Sequence, residues 1–510
     1  MTSGSAPGTV QALIEAQAAA RPEQAYALAE DGTALSYGAL AEGCRRIASL
    51  LQAQGVGPGQ TVSVVMPNGL NALRVLLGTL WAGRCVNPVN LLAQPEQMAY
   101  VLGHSDCALV IVSPDWVQRV QAMLQGLGRP VAMLVAEPDA LALPGEQDTA
   151  PAEPSATAAT DTGLLMYTSG TTGRPKGVML SQASLVANAR AIVAEHGLTA
   201  ADRVLAVLPL YHINAFAVTM LAPLASGGSL VMPPRFSVAR YWAQAMGMQC
   251  SWLNLVPTMV SYLLEAAAPQ AAALRAIRFA RSASAALPTE HLRGFEQRLG
   301  IGLVETMGLT ETMAPCFANP MDAAQRKLGS VGRASGCEAR VVDADLQAVA
   351  DGTTGELCLR GPNVMLGYYK NPEATAASFT PDGWLRSGDL GHRDADGFYF
   401  VTGRIKELII KGGENIAPRE IDEVLLRHPA VLDAAAVGMP DRHYGQDILA
   451  CVVLREGQTM DEAGLRAFCE PLLGRYKTPR RICFVAELPR GPSGKVQRLK
   501  LLEPGFVDLG

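Results

Sequence analysis

Met166-Tyr167-Thr168-Ser169-Gly170-Thr171-Thr172-Gly173-Arg174-Pro175-Lys176-Gly177 is the stretch on which the reading of this chain turns. The apolar run Leu164 to Tyr167 leads in and Val178-Met179-Leu180 leads out, a pattern that predicts strand, tight polar loop, strand. A loop of this composition can wrap a polyphosphate. Glycine lets backbone N–H groups approach an anion, hydroxyls add donors, and Lys176 adds a point charge. The spacing is not that of the Walker loop, because Lys176 is followed by Gly177 rather than Ser or Thr. The same residues are also the usual ones of an ordinary surface loop, so the rest of the chain must decide.

Working outward, the chain of 510 residues is too long for one compact core, and two or more domains are expected. A hydrophobic share of 49% with 17% charged residues describes an ordinary globular protein. The net charge of −5 supplies no basic footprint for nucleic acid or an anionic membrane, so a nucleotide would need particular lysines, arginines or a metal. The ten cysteines are scattered singly with no CxxC pair, which favours buried free thiols over a zinc site or a disulfide framework. No signal peptide and no membrane-length apolar run are visible, so a cytoplasmic location is expected.

Upstream of the loop, strands and helices alternate with short connections, which implies parallel strands with helices on both faces. Tyr26–Glu30 and Thr33–Leu35 flank an Asp31-Gly32 turn, and Ser36 can cap a helix carrying Leu40, Cys44, Ile47 and Leu51 on one stripe. Residues 143–162, rich in Ala, Pro, Thr and acidic residues, read as an exposed loop. Downstream, strands near Val204–Pro209, Ile277–Ser282 and Gly302–Thr306 end in polar clusters that a layered sheet could bring together. From Gly329 the texture is β-rich up to Gly403-Arg404. Ile405–Ile410 reads as a further strand, and the last hundred or so residues read as a small α+β unit. The expected fold class is therefore α/β, with a large domain over residues 1–404 that includes a β-rich subdomain, and a small mobile α+β domain over 405–510.

The full loop string resembles the signature of the adenylate-forming superfamily, which includes acyl-CoA synthetases, peptide-synthetase adenylation domains and beetle luciferases. Further matches follow in order over almost the whole chain. Met307-Gly308-Leu309-Thr310-Glu311 resembles the superfamily's Tyr-Gly-x-Thr-Glu, Trp384 to Asp389 its Trp-x-x-Thr-Gly-Asp, Gly403 to Glu407 its Gly-Arg-x-Lys-Asp, and Pro489 to Lys495 its C-terminal lysine motif. Departures are Met307 for the tyrosine, Glu407 for the aspartate, and Ser282-Ala283-Ser284-Ala285-Ala286-Leu287 for Ser-Gly-Gly-Ala-Pro-Leu. Gln182 replaces a histidine after the phosphate loop, and Gly445-Gln446 replaces Gly-Glu.

This resemblance implies an AMP-forming acid–CoA ligase using ATP, Mg²⁺ and coenzyme A on a small carboxylic acid. By the resemblance, Lys495, Thr310, Glu311 and His212 would be catalytic. Thr168, Ser169, Gly170, Thr171, Thr172, Gly173 and Lys176 would hold phosphates. Ser284, Ala285, Glu305, Thr306 and Met307 would flank the nucleotide, and Asp389 and Arg404 its ribose. Gly412 and Gly413 would pass the thiol arm, Lys406 would be the hinge, and Thr168 and Glu311 would hold the metal. The acid pocket would be walled by His212, Asn214, Ala215, Phe216, Val256, Arg281, Met307, Met313 and Ala314, with Arg281 placed to clamp a second carboxylate. Two alternatives stay open: an adenylating enzyme that loads a carrier protein in trans, and a nucleotide sensor without activity. Joint retention of Lys176, Glu311, Asp389, Arg404 and Lys495 argues against the sensor. A homodimer is compatible with the sequence.

Overall fold

A computed structural model describes residues 8–154, 156–168, 174–491, 495–503 and 505–507. Two large sheets share one apolar core. The first has nine strands in the spatial order Arg333–Ala334, Phe317–Ala318, Leu303–Met307, Phe279–Ser282, Trp252–Leu255, Arg203–Leu205, Ser229–Met232, Ala25–Ala29, Ala34–Ser36. From Leu303–Met307 through Ala25–Ala29 its neighbours pair in parallel, and only its margins are antiparallel. The second has seven strands, Gly367–Tyr368, Lys176–Ser181, Thr162–Thr168, Cys85–Pro88, Thr61–Val65, Leu109–Val112 and Ala132–Val135. The core between them takes Val62, Val64, Leu164 and Val178 from one sheet and Val204, Leu230, Trp252 and Phe279 from the other. The helix Leu70–Trp81 is buried at every position, which its almost wholly apolar sequence requires.

Ser36 caps the helix Tyr37–Ala53 by accepting from the Ala39 N–H, and Leu40, Cys44, Ile47 and Leu51 are buried, as the stripe predicts. Four features differ from the sequence reading. An amphipathic helix at Val10–Ala20, capped by Thr9, precedes everything. The strand near Val204 covers only Arg203–Leu205. Residues 143–162 are not simply exposed: Leu143 is 3% and Glu146 1% accessible, and Glu146 pairs with the equally buried Arg74 of the helix Leu70–Trp81. Composition showed the surface residues of that stretch, whereas the buried Glu146–Arg74 pair and hydrogen bonds of Thr149, Ala150 and Ala152 to the helix Tyr37–Ala53 tie it down. Finally, Ile405–Glu407 is a 3-10 turn, and the strand begins only at Ile409.

The β-rich part is a four-stranded antiparallel sheet, Glu338–Val342, Gly355–Arg360, Leu385–Arg393 and Tyr399–Arg404. After it comes a five-stranded sheet built on the long pair Val431–Asp441 and Gly445–Leu454. Helices Pro418–Leu425 and Glu462–Lys477 bury Ile421, Leu425, Leu465 and Cys469 against one face of this sheet. Leu488 and Leu501 cover Ala435, Val437 and Leu449 on the other. These two clusters are separate from the main core, so the C-terminal unit carries its own. All ten cysteines are free, and no helix among the described residues is long and apolar enough to cross a membrane.

Candidate active site

The phosphate-loop stretch forms an antiparallel hairpin, with Thr168 opposite Lys176 at its loop end. Ser169, Gly170, Thr171, Thr172 and Gly173 lie outside the described residues. Lys176 Nζ stands 4.6 Å over the ring of Tyr368, and the Tyr368 hydroxyl donates to Glu311 Oε1 at 2.8 Å. Glu311 belongs to the turn Thr310–Thr312 that follows the strand Leu303–Met307. Asn363 Nδ2 donates to the Thr312 carbonyl at 3.0 Å, and Asn188 Nδ2 does so at 3.4 Å, which fixes that turn. Gly308 is required just before it, because a Cβ would lie 2.7 Å from Pro315 Cα and 2.8 Å from Ala314 Cα.

Asp389 and Arg404 face each other across two strands, and Arg404 Nε meets Asp389 Oδ1 at 2.8 Å. Asp389 is 3% accessible, and its Oδ2 has no partner among the described residues. Burial raises the Asp389 pKa, while Arg404 and Lys495 pull it back down. An acceptor left open beside a cation is suited to a pair of ribose hydroxyls. Lys495 is reachable by solvent, yet the walls around it desolvate its ammonium. That desolvation, with Arg404 beside it, lowers its pKa against the opposing pull of Asp389, Glu311 and Glu407. A cation from the C-terminal unit thus stands within the field of both Asp389 and Glu311.

Next to the strand ends lies a buried polar cluster. Arg281 is 1% accessible and donates to Asn214 Oδ1 (3.2 Å), Asn254 Oδ1 (3.1 Å) and Thr306 Oγ1. No described carboxylate pairs with it, its Nε has no partner among the described residues, and burial pulls its pKa down to about 9. Asn214 Nδ2 in turn donates to Ser284 Oγ at 3.2 Å. Ser284 holds φ +76°, a left-handed backbone that glycine adopts more readily. Glu305 is 4% accessible, accepts from the Leu287 N–H at 3.3 Å, and is pushed by burial to about 7. Ala285 and Met307 are half-buried beside these groups.

His212 and Val256 are half-buried at neighbouring strand ends, with the His212 ring edge-on to Tyr211 at 4.8 Å. Ala215, Phe216 and Met313 are fully buried in the main core, and Ala314 is 8% accessible, so these four back the region rather than present an open wall. Gly412 and Gly413 hold φ +55° and +88°, and a Cβ on Gly412 would lie 3.0 Å from Tyr476 Oη. Lys406 is the middle residue of the 3-10 turn.

Sequence reasoning missed Asn254 and Tyr368. Asn254 sits inside an apolar strand, and its only signal is a lone amide among Trp252, Leu253 and Leu255. Tyr368 and Lys176 line a pocket of about 190 Å³ with Tyr100, His104, Arg174 and Tyr369. A roomier groove of about 490 Å³, over Gln121, Arg129 and Met133, lies at the far edge of the seven-stranded sheet, away from all these groups.

For a divalent cation, the donors present fit. Glu311 offers a carboxylate to which no described Lys or Arg is ion-paired, and Thr168 offers a hydroxyl, both hard oxygen ligands.

The AMP-binding enzyme model matches residues 14–369, and the AMP-binding enzyme C-terminal domain model matches residues 420–495. The chain belongs to the AMP-binding enzyme family. It is 56% identical over 502 residues to a sulfoacetate–CoA ligase of Cupriavidus necator, covering 97% of each chain. It is 33% identical to an oxalate–CoA ligase of Arabidopsis thaliana, over 98% of this chain and 99% of the other. Its fold superposes on ATP-bound MatB from Rhodopseudomonas palustris with a TM-score of 0.92 at 30% identity, covering 97% of this chain and 98% of that one.

Proposed function

We propose that this AMP-forming acid–CoA ligase activates a short acid carrying a second anionic group, with sulfoacetate as the leading candidate. The enzyme class rests on the family match and on the CoA-ligase relatives. The observation that supports the substrate is Arg281, a buried guanidinium with no described carboxylate partner. Burying such a charge unpaired costs several kcal/mol, which an anion seated against Arg281, Asn214 and Ser284 would offset. Relatives named for sulfoacetate and oxalate, both doubly anionic, agree with this.

In the first step a carboxylate oxygen attacks the α-phosphorus of ATP, and the P–O bond to pyrophosphate breaks. Lys495 neutralises charge growing on the non-bridging oxygens, and Thr310 donates to the same phosphate. Glu311 and Thr168 would hold Mg²⁺, which would supply charge neutralisation at the phosphates. Asp389 and Arg404 orient the ribose, and Lys176 holds the outer phosphates. In the second step the CoA thiol attacks the acyl carbon and the C–O bond to AMP breaks. For that step the C-terminal unit turns about Lys406, Lys495 leaves, and Gly412 and Gly413 admit the thiol arm. Residues 1–404 and 405–510 are the units that move.

The test is pyrophosphate release over a panel of acids. Sulfoacetate and oxalate should exceed acetate and benzoate, and Arg281→Lys should narrow that preference. Equal rates for mono- and dianionic acids would overturn the substrate reading.

A further inference from the structure

We infer that Tyr368 is a positioning residue for adenylation, one side chain that holds both the Glu311 carboxylate and the Lys176 ammonium for the metal–triphosphate. A carboxylate is an acceptor only, so the Tyr368 hydroxyl is the donor in its 2.8 Å contact with Glu311 Oε1. With Oε1 fixed in this way, rotation of the carboxylate is restricted. The same residue's ring lies beneath Lys176 Nζ at 4.6 Å, a cation–π distance. Tyr368 is 9% accessible, while Lys176 and Glu311 are half-buried.

The backbone around Tyr368 joins the same two elements. The Met365 N–H donates to the Glu311 carbonyl at 2.8 Å. The Leu366 N–H donates to Met179 O at 2.9 Å, and the Tyr369 N–H to Gly177 O at 2.8 Å. Tyr368 pairs with Val178 across the edge of the seven-stranded sheet. Residues 365–369 therefore lace the metal carboxylate to the second strand of the phosphate-loop hairpin, although these groups are more than a hundred positions apart in sequence. Hydroxyl and ring act on different partners, so their contributions separate by substitution. The inference rests on Glu311 holding the metal and Lys176 the phosphates, and the test carries a control for that.

Three full-length variants are compared with the wild type: Tyr368→Phe, Tyr368→Leu and Glu311→Gln. Mn²⁺ affinity is read by electron paramagnetic resonance with ATP present and no acid, alongside the Mg²⁺ dependence of ATP–pyrophosphate exchange. Loss of a hydrogen bond to a charged group predicts roughly tenfold weaker Mn²⁺ binding for Tyr368→Phe. The Mg²⁺ needed for half-maximal exchange should rise in parallel. The KM for ATP should stay unchanged in Tyr368→Phe, which keeps the ring, and rise in Tyr368→Leu. Transfer from pre-made acyl-AMP to CoA should be unaffected in both. If Glu311→Gln weakens Mn²⁺ and Tyr368→Phe does not, the positioning role is wrong while the metal assignment stands. If Glu311→Gln also leaves Mn²⁺ binding unchanged, the metal assignment falls and takes the inference with it. An equal loss in both half-reactions would mark Tyr368 as merely structural and overturn it. Should Tyr368→Leu fail to fold, Tyr368→Phe alone decides.

Discussion

Lys495 and Glu305 carry predictions that depend on single groups. Lys495 is the cation that the C-terminal unit contributes near Asp389 and Glu311. On the proposed role, replacing it with alanine removes charge stabilisation from the adenylating transition state only. Lys495→Ala should slow ATP–pyrophosphate exchange by about 100-fold or more, yet leave CoA transfer from pre-made acyl-AMP within about twofold. Equal losses in both would contradict this role. Glu305 carries the pH prediction. Burial raises its pKa from 4.5 to about 7, so the folded state prefers the protonated form. Its contribution is most favourable below the unfolded pKa and is lost as pH rises through about 7. Glu305→Gln, which mimics that protonated form, should therefore gain stability relative to wild type between pH 5 and pH 8. Linkage sets the gain on the order of 3 kcal/mol, and denaturant titrations at the two pH values measure it. Legibility at this scale was uneven. Lys495, Asp389, Arg404 and Glu311 stood in recognisable strings. Their contacts did not, because a donor such as Tyr368 or Asn254 has no local signature and only the fold supplies its neighbour.

The hairpin Thr162–Thr168 with Lys176–Ser181 was legible as strand, loop, strand, because its apolar runs are short and glycine-bounded. Its antiparallel pairing was not separable from the surrounding parallel pattern. The helix Tyr37–Ala53 announced itself by cap and stripe. Residues 143–162 did not, since they are held by the Glu146–Arg74 ion pair and by hydrogen bonds from Arg46, Ser49 and Ala152 rather than by periodicity. Glu146 and Arg74 are 1% and 2% accessible. Removing one partner leaves a buried charge uncompensated, so Glu146→Ala should destabilise by about 3–5 kcal/mol. The double replacement Arg74→Met with Glu146→Leu should recover most of that, and thermal and denaturant melts check both. The strand expected over Ile405–Ile410 was misplaced because an apolar run crossing Lys406 and Glu407 resembles strand alternation. The chain instead makes a 3-10 turn over Ile405–Glu407.

At the scale of the whole molecule, one large α/β body and one small α+β unit with its own core meet around Asp389, Arg404 and Lys495. In the sequence, the texture changes after Gly329 and again after Arg404. The side-by-side placement of the two large sheets was not legible there, because nothing local encodes which layers share a core. If Lys406 is the swivel, fixing its φ should favour one arrangement. Proline sets φ near −65°, within the range a 3-10 turn uses. Lys406→Pro should keep ATP–pyrophosphate exchange and lose acyl-CoA formation, whereas Lys406→Ala should keep both. Normal rates in the proline variant would place the swivel elsewhere. On the proposed mechanism, activation and transfer are two reactions joined by a bound adenylate. Its most direct measurement is ATP–pyrophosphate exchange with sulfoacetate, first without coenzyme A and then with it. Exchange without CoA, followed on CoA addition by equal amounts of AMP and acyl-CoA, is the predicted result. Absence of exchange until CoA is added, or release of ADP and phosphate in place of AMP and pyrophosphate, would contradict it.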